Sequence, residues 1–330
     1  MPAEKIFYRE GIARALHEAM AADERVFVMG QDVGAFGGAY REFDGLYAAF
    51  GAARVRDMPV AEAAMVGIGL GAAAGGMRPV VSVTYMDFLM LALDPLVNYG
   101  AKLRFKTAGI LTAPLVVMTT AGARGQGVAH SQCIEAWLMG VPGLKIVAPA
   151  TPEDAYGLMR AALAEDGPVV YVAHKKLFPT SGEVSGMPVP IGSAKIIRAG
   201  RDVTITTHSC MTRIALAAAD ILNAVGISCE IIDLRSLRPL DVGLTAASAA
   251  RTGALVTLEE GQLACGVGAE IAACAQEALG PLPVHRIGAR PAPVSSNPVL
   301  ERACLPDAAR VAAETERFIS DNRTSRRRAG

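Results

Sequence analysis

Residues 145–172, KIVAPATPEDAYGLMRAALAEDGPVVYV, decide how this chain folds. The stretch opens on a short branched run (145–147), passes through Pro149, and reaches Thr151-Pro152-Glu153-Asp154. There a hydroxyl cap, a proline at the first helical position and early acids mark the start of a helix. Apolar residues then recur at helical spacing to Leu163, Gly167-Pro168 breaks the helix, and Val169-Val-Tyr-Val172 reads as a fully buried strand. Strand, helix and strand in that order make the unit from which parallel sheets are built.

Working outward, the same rhythm fills the first half of the chain. Strands are expected at 26–29, 54–57, 79–83 and 115–119, with helices at 8–21, 61–74 and 89–102. From 174 to 201 the rhythm gives way to Pro179, Gly182, Gly186, Pro188, Pro190, Gly192 and Gly200, a stretch read as the linker. It resumes with strands at 203–207, 229–232, 254–258 and 284–287 and helices at 214–225 and 269–279. The fold class is therefore α/β, with two domains of mainly parallel sheet: residues 1–185, including the start of the linker, and residues 186–330. A length of 330 residues agrees with two domains at roughly 100–200 residues each.

Composition excludes several function classes. With 52% hydrophobic and 19% charged residues the chain is no disordered tail. Lys+Arg and Asp+Glu both number 32, so no net field draws it to nucleic acid or an anionic membrane, and a neutral, apolar chain favours an oligomer. The charge-free runs 63–77 and 107–123 fall short of the ~20 residues a membrane helix needs. Six cysteines without C-x-x-C spacing read as reduced thiols, and no secretory signal pattern opens the sequence, so a cytoplasmic location is expected. The basic end TSRRRAG, residues 324–330, is expected to be solvated.

Three features could carry chemistry. The cluster Gly67-Ile-Gly69-Leu-Gly71 contains a dinucleotide-like spacing, but it follows residues that already read as helix, so close packing is the better reading. Glu62 is the one charge between Asp57 and Arg78 and stands where a strand gives way to a helix. It is either an acid at a helix N-terminus or a buried carboxylate with a perturbed pKa. His130 closes the glycine-rich loop AGARGQGVAHSQ, where it is either placed for proton transfer or held by ordinary hydrogen bonds. No His, Cys, Asp or Glu pair has metal-ligand spacing.

Taken in order, Asp57-Met-Pro-Val-Ala-Glu62, Met77-Arg-Pro79, Asp87-Phe88, Asn98-Tyr-Gly-Ala-Lys102, His130-Ser-Gln132, Pro142-Gly-Leu-Lys145, Asp233-Leu-Arg-Ser-Leu-Arg-Pro-Leu-Asp241 and Glu259-Glu-Gly261 resemble one family over most of the chain. It is the beta subunit of the thiamin-diphosphate-dependent first component of 2-oxo acid dehydrogenase complexes, of the pyruvate and acetoin dehydrogenase type. The resemblance implies a transketolase-like pyrimidine-binding domain followed by a transketolase C-terminal domain. It implies that Glu62 hydrogen-bonds N1′ of the cofactor's aminopyrimidine and assists proton removal from thiazolium C2. Phe88 would stack on the pyrimidine, Val60 would line the same pocket, and His130 would reach over the thiazolium. In some members a potassium ion is held by carbonyls at positions matching Leu115, Ala162, Leu163, Glu165 and Gly167.

No G-D-G occurs in the chain, although thiamin enzymes use that motif to hold Mg²⁺ and the diphosphate. The resemblance therefore implies an alpha subunit that holds Mg²⁺, a heterotetramer containing a second beta subunit, and activity only in that assembly. Oxidative decarboxylation, with pyruvate as first substrate, would pass an acyl group to a lipoyl-bearing dihydrolipoyl acyltransferase. An acetoin dehydrogenase beta subunit is the alternative within the family, and a non-catalytic nucleotide-binding or scaffold subunit is the alternative outside it.

Overall fold

The computed structural model describes residues 4–329 and divides into two compact units. The first comprises residues up to Arg124, Ala129–Ile191 and Ser236–Pro239; the second comprises Gly125–Val128, Gly192–Arg235 and the chain from Leu240.

In the first unit, β1 (Glu4–Phe7) leads into α1 (Tyr8–Ala22) and β2 (Val26–Gly30). Then come α2 (Leu46–Phe50), β3 (Val55–Asp57), α3 (Glu62–Ala74), β4 (Arg78–Val83), α4 (Met86–Leu89), α5 (Leu103–Lys106) and β5 (Val116–Ala121). The unit continues through α6 (Glu135–Met139), β6 (Lys145–Val147), α7 (Pro152–Ala164), β7 (Val169–His174) and β8 (Ser181–Val184). Six of these strands lie parallel in the order β6-β7-β5-β4-β2-β3. β2, β4, β5 and β7 are buried along nearly their whole length, as expected of strands covered on both faces. The cap at α7 forms as its sequence specifies, with Thr151 Oγ1 accepting from Asp154 N at 3.1 Å.

The second unit holds β9 (Lys195–Arg198), β10 (Val203–Thr207), α8 (Met211–Ala224) and β11 (Cys229–Asp233). β12 (Ser236–Arg238) follows in sequence but joins the first unit's sheet, antiparallel to β6. The second unit then continues with α9 (Val242–Thr252), β13 (Leu255–Gln262), α10 (Val267–Leu279), β14 (Val284–Ala289), α11 (Pro298–Cys304) and α12 (Ala308–Ala329). Its sheet runs β14-β13-β10-β11-β9, parallel except for β9. Val203, Ile205, Ile231, Val256, Leu258 and Ile287 form its core with α8 and α12. The side chains of 323 and 325–329 and the whole of residue 330 lie outside the described residues, and so does all but Thr324 of the solvated basic end expected at 324–330.

One sequence expectation is refined and another corrected. The helix expected at 89–102 forms, but its hydrogen-bond spacing changes along its length: α4 passes into a 3-10 turn at Met90–Ala92 and a π-helical stretch at Asp94–Gly100 ahead of α5. Pro95 is the physical reason: it offers no N–H and crowds the preceding turn, and the chain answers with a longer bond from Ala101 N to the Leu96 carbonyl. The stretch read as linker contains β8 and β9, and β8 pairs antiparallel with β1. Four-residue strands such as SGEV carry too little alternation to register. The glycine cluster lies inside α3, where a Cβ on Gly69 would stand 2.5 Å from Val81 Cγ2 of β4, so this glycine serves close packing.

Candidate active site

The candidate residues gather at the carboxyl edge of the first unit's parallel sheet, where loops from neighbouring strands converge. Gln31 directly follows β2, Glu62 follows β3 after a four-residue loop, Tyr85 and Phe88 follow β4, the His130 loop follows β5, and Lys175 directly follows β7.

The loop into α3 is fixed by its own backbone. Met58 N donates to the Gly30 carbonyl at 2.8 Å, and Asp57 Oδ1 accepts from Gly34 N at 2.7 Å. Glu62 is thereby set at the first turn of α3, 4% exposed, where the helix N-terminus favours a negative charge. Gln31 Nε2 donates to its Oε1 at 3.3 Å. Among the described residues Oε2 takes no hydrogen bond, so one carboxylate oxygen is available to a ligand N–H.

A second cluster surrounds His130. Its imidazole meets the Tyr85 ring edge-on at 5.1 Å and the Phe88 ring at 5.3 Å. The loop leaves β5 through Gly122 at φ +92°, where a Cβ would collide with the His174 imidazole, so only glycine fits. Further along, Asp87 Oδ1 accepts from Gln132 N at 3.3 Å, and Lys175 Nζ donates to the His130 carbonyl. Asp87 Oδ2 is buried with no hydrogen-bond partner among the described residues.

The structure thus brings His130 and Phe88 together and places Glu62 at the end of nearby strands of the same sheet. No hydrogen bond or ring contact among the described residues joins Glu62 to the His130 cluster. Val60 is 77% exposed, so this chain alone does not enclose it. Sequence reading missed Gln31, Tyr85, Asp87 as a loop anchor, and Lys175. The usable signal for Gln31 and Lys175 was a polar side chain immediately after an apolar strand, the position from which parallel sheets build sites.

Four of the five carbonyls expected to hold potassium, those of Leu115, Ala162, Leu163 and Glu165, accept hydrogen bonds within the chain. Arg78 Nε and Nη2 donate to the Leu163 and Glu165 carbonyls at 3.1 and 2.7 Å. The Ala162 carbonyl accepts from Glu165 N at 3.3 Å, and the Leu115 carbonyl from Val169 N at 2.9 Å. An ion drawn to these oxygens and to Gly167 would lie against a guanidinium of like charge. Arg78 thus brings a positive charge of its own to the Leu163 and Glu165 carbonyls.

Fold and site define a two-domain chain of the transketolase type. Residues 4–180 match the family model for the transketolase pyrimidine binding domain, and residues 192–311 match that for the transketolase C-terminal domain. A solved split gene transketolase, described as an inactive beta4 tetramer, superposes with a TM-score of 0.80 over 96% of this chain and 98% of its own; at 24% identity it shows the fold alone. Among curated proteins, the chain is 44% identical to the mitochondrial pyruvate dehydrogenase E1 component subunit beta-2 of Oryza sativa subsp. japonica, over 92% of this chain and 84% of that one. It is 40% identical to the E1 component subunit beta of Rhizobium meliloti (strain 1021), over 92% and 67%, and 37% identical to the mitochondrial subunit of Rattus norvegicus, over 92% and 88%. The chain belongs to the family of pyruvate dehydrogenase E1 component beta subunits.

Proposed function

We propose that this chain is the beta half of a thiamin-diphosphate-dependent 2-oxo acid dehydrogenase that decarboxylates pyruvate and passes the acyl group to lipoyl on a dihydrolipoyl acyltransferase. The observation that carries the reading is Glu62: a buried carboxylate at a helix N-terminus, with one oxygen held by Gln31 and the other without a partner among the described residues. That is the acceptor an N1′–H of an aminopyrimidine requires. When bound, thiamin diphosphate supplies the carbon nucleophile and electron sink that 2-oxo acid decarboxylation needs.

This chain's residues have the complementary tasks. Glu62 Oε2 would hold and exchange the N1′ proton, Phe88 would offer a flat face to the pyrimidine, and His130 would move protons on the substrate side. The absence of G-D-G supports a division of labour in which an alpha subunit holds Mg²⁺ and the diphosphate, in a heterotetramer with two beta subunits. Relatives named for pyruvate dehydrogenase favour pyruvate over acetoin. Six free cysteines, three of them buried, support a reducing, cytoplasmic compartment.

Glu62→Gln tests the reading. Glutamine keeps the size and a hydrogen bond but exchanges no proton, so turnover of the assembled complex should fall by roughly 10²- to 10⁴-fold. Hydrogen–deuterium exchange at thiazolium C2, followed by quenched-flow NMR, should slow in parallel. Unchanged exchange and turnover in a correctly assembled variant would leave Glu62 a helix-terminus acid and nothing more.

A further inference from the structure

Lys175 is 0% exposed. An ammonium surrenders much of its hydration to reach such a place, and lysine is rarely buried unless its contacts compensate. Two of its contacts belong to the candidate site. Nζ donates to the His130 carbonyl oxygen and lies 4.1 Å from the centre of the Tyr85 ring, which in turn makes a T-shaped contact with the His130 imidazole.

The ammonium therefore grips the main chain of His130 and one of the two rings that orient its side chain. Asp87 holds the same segment two residues later through Gln132 N, and its neighbour Phe88 supplies the other ring. The grip matters because the loop is rich in glycine, and Arg124, Gly125 and Gln126 are exposed. Unanchored, it would spread the imidazole over many positions, and misplacing a reacting group by about 1 Å can cost on the order of 10²-fold in rate.

We infer that Lys175 is a positioning residue: a buried ammonium that clamps His130 for the transfer of the acyl group to lipoyl. The inference rests on the role proposed above for His130. In that transfer the decarboxylated substrate gives up two electrons and its hydroxyl proton and becomes a thioester on one lipoyl sulfur. The lipoyl S–S bond breaks, and the other sulfur leaves as a thiol, taking up the proton that a clamped imidazole can deliver.

The test uses the complex assembled with its alpha subunit and cofactor. Two rates are compared in wild type, Lys175→Met, His130→Ala and the double variant: decarboxylation with an artificial electron acceptor, and reductive acylation of a lipoyl domain. Lys175→Met should lower acylation about tenfold or more while lowering decarboxylation less than about threefold. The double variant should be no worse than His130→Ala, since the two residues then act on one step. Limited trypsinolysis after Arg124 should quicken severalfold in Lys175→Met, because the released loop opens. Should Lys175→Met fail to assemble, Lys175→Gln, which keeps a donor without the charge, decides by the same ratio. An unchanged ratio, equal losses in both rates, or additive losses in the double variant would overturn the clamp. The two readings fail separately: an inert His130→Ala removes the role given to His130 and the clamp with it, whereas an impaired His130→Ala beside an inert Lys175→Met removes the clamp alone.

Discussion

Glu42, in the loop between β2 and α2, is 1% exposed. Its Oε2 accepts from Tyr40 N at 2.7 Å, and its Oε1 is buried with no hydrogen-bond partner among the described residues. Burial pushes its carboxyl up from 4.5 to about 7. Between those values the folded chain binds a proton that the unfolded chain has released, so stability falls as pH rises through this window and levels off above about 7. The loss is on the order of 3 kcal/mol. Glu42→Gln, which has no proton to lose, should match wild type near pH 5 and melt roughly 5 °C higher at pH 8 by scanning calorimetry. An equal difference at both pH values would show that Glu42 ionises freely. Legibility at this scale differs by residue. Glu62 stood out as a lone charge in apolar sequence, whereas Glu42 sits in polar, turn-rich surroundings that promise exposure, and only the folded loop buries it.

At the scale of elements, α3 shows how two glycines in one helix can have opposite roles. Gly69 lies against Val81 and Leu115, whereas nothing stands within 4 Å of a Cβ at Gly71. Alanine gains up to ~1 kcal/mol over glycine from helix propensity, but overpacking costs ~1–3 kcal/mol. Gly69→Ala should therefore lower the urea midpoint of the isolated chain, and Gly71→Ala should hold or raise it. The same sign for both would mean that β4 yields to the added methyl. α7 was legible because Thr151, Pro152 and Asp154 announce it. α9 also carries end signals, with Asp241 Oδ1 accepting from Leu244 N at 3.0 Å and Gly253 left-handed at its C-terminus. Its interior of alanine, serine, threonine and glycine hides the periodicity.

At the scale of the whole molecule, the first unit carries apolar side chains facing outward: Ile68 on α3, Leu91 and Tyr99 on the turns packed against it, then Phe105 at 90% and Ile110 at 84% exposed. Apolar surface of this kind marks an association site and supports the proposed assembly with an alpha subunit. The isolated chain should accordingly not bind thiamin diphosphate tightly. Calorimetry with Mg²⁺ should detect micromolar affinity only after the alpha chain is added, and tight binding to this polypeptide alone would overturn the shared site. The sequence by itself determined the alternation of strand and helix, the cap of α7, the place of Glu62 at a strand-to-helix junction and, through ordered motifs, the family. These are local or collinear properties, carried by neighbours along the chain. Tertiary structure alone decided that Gln31 meets Glu62, that Arg78 satisfies the carbonyls of Leu163 and Glu165, that β12 joins the first unit's sheet, and that Lys175 grips His130. Each of those contacts joins residues far apart in sequence, and what selects them is strand order, which no local pattern of side chains encodes.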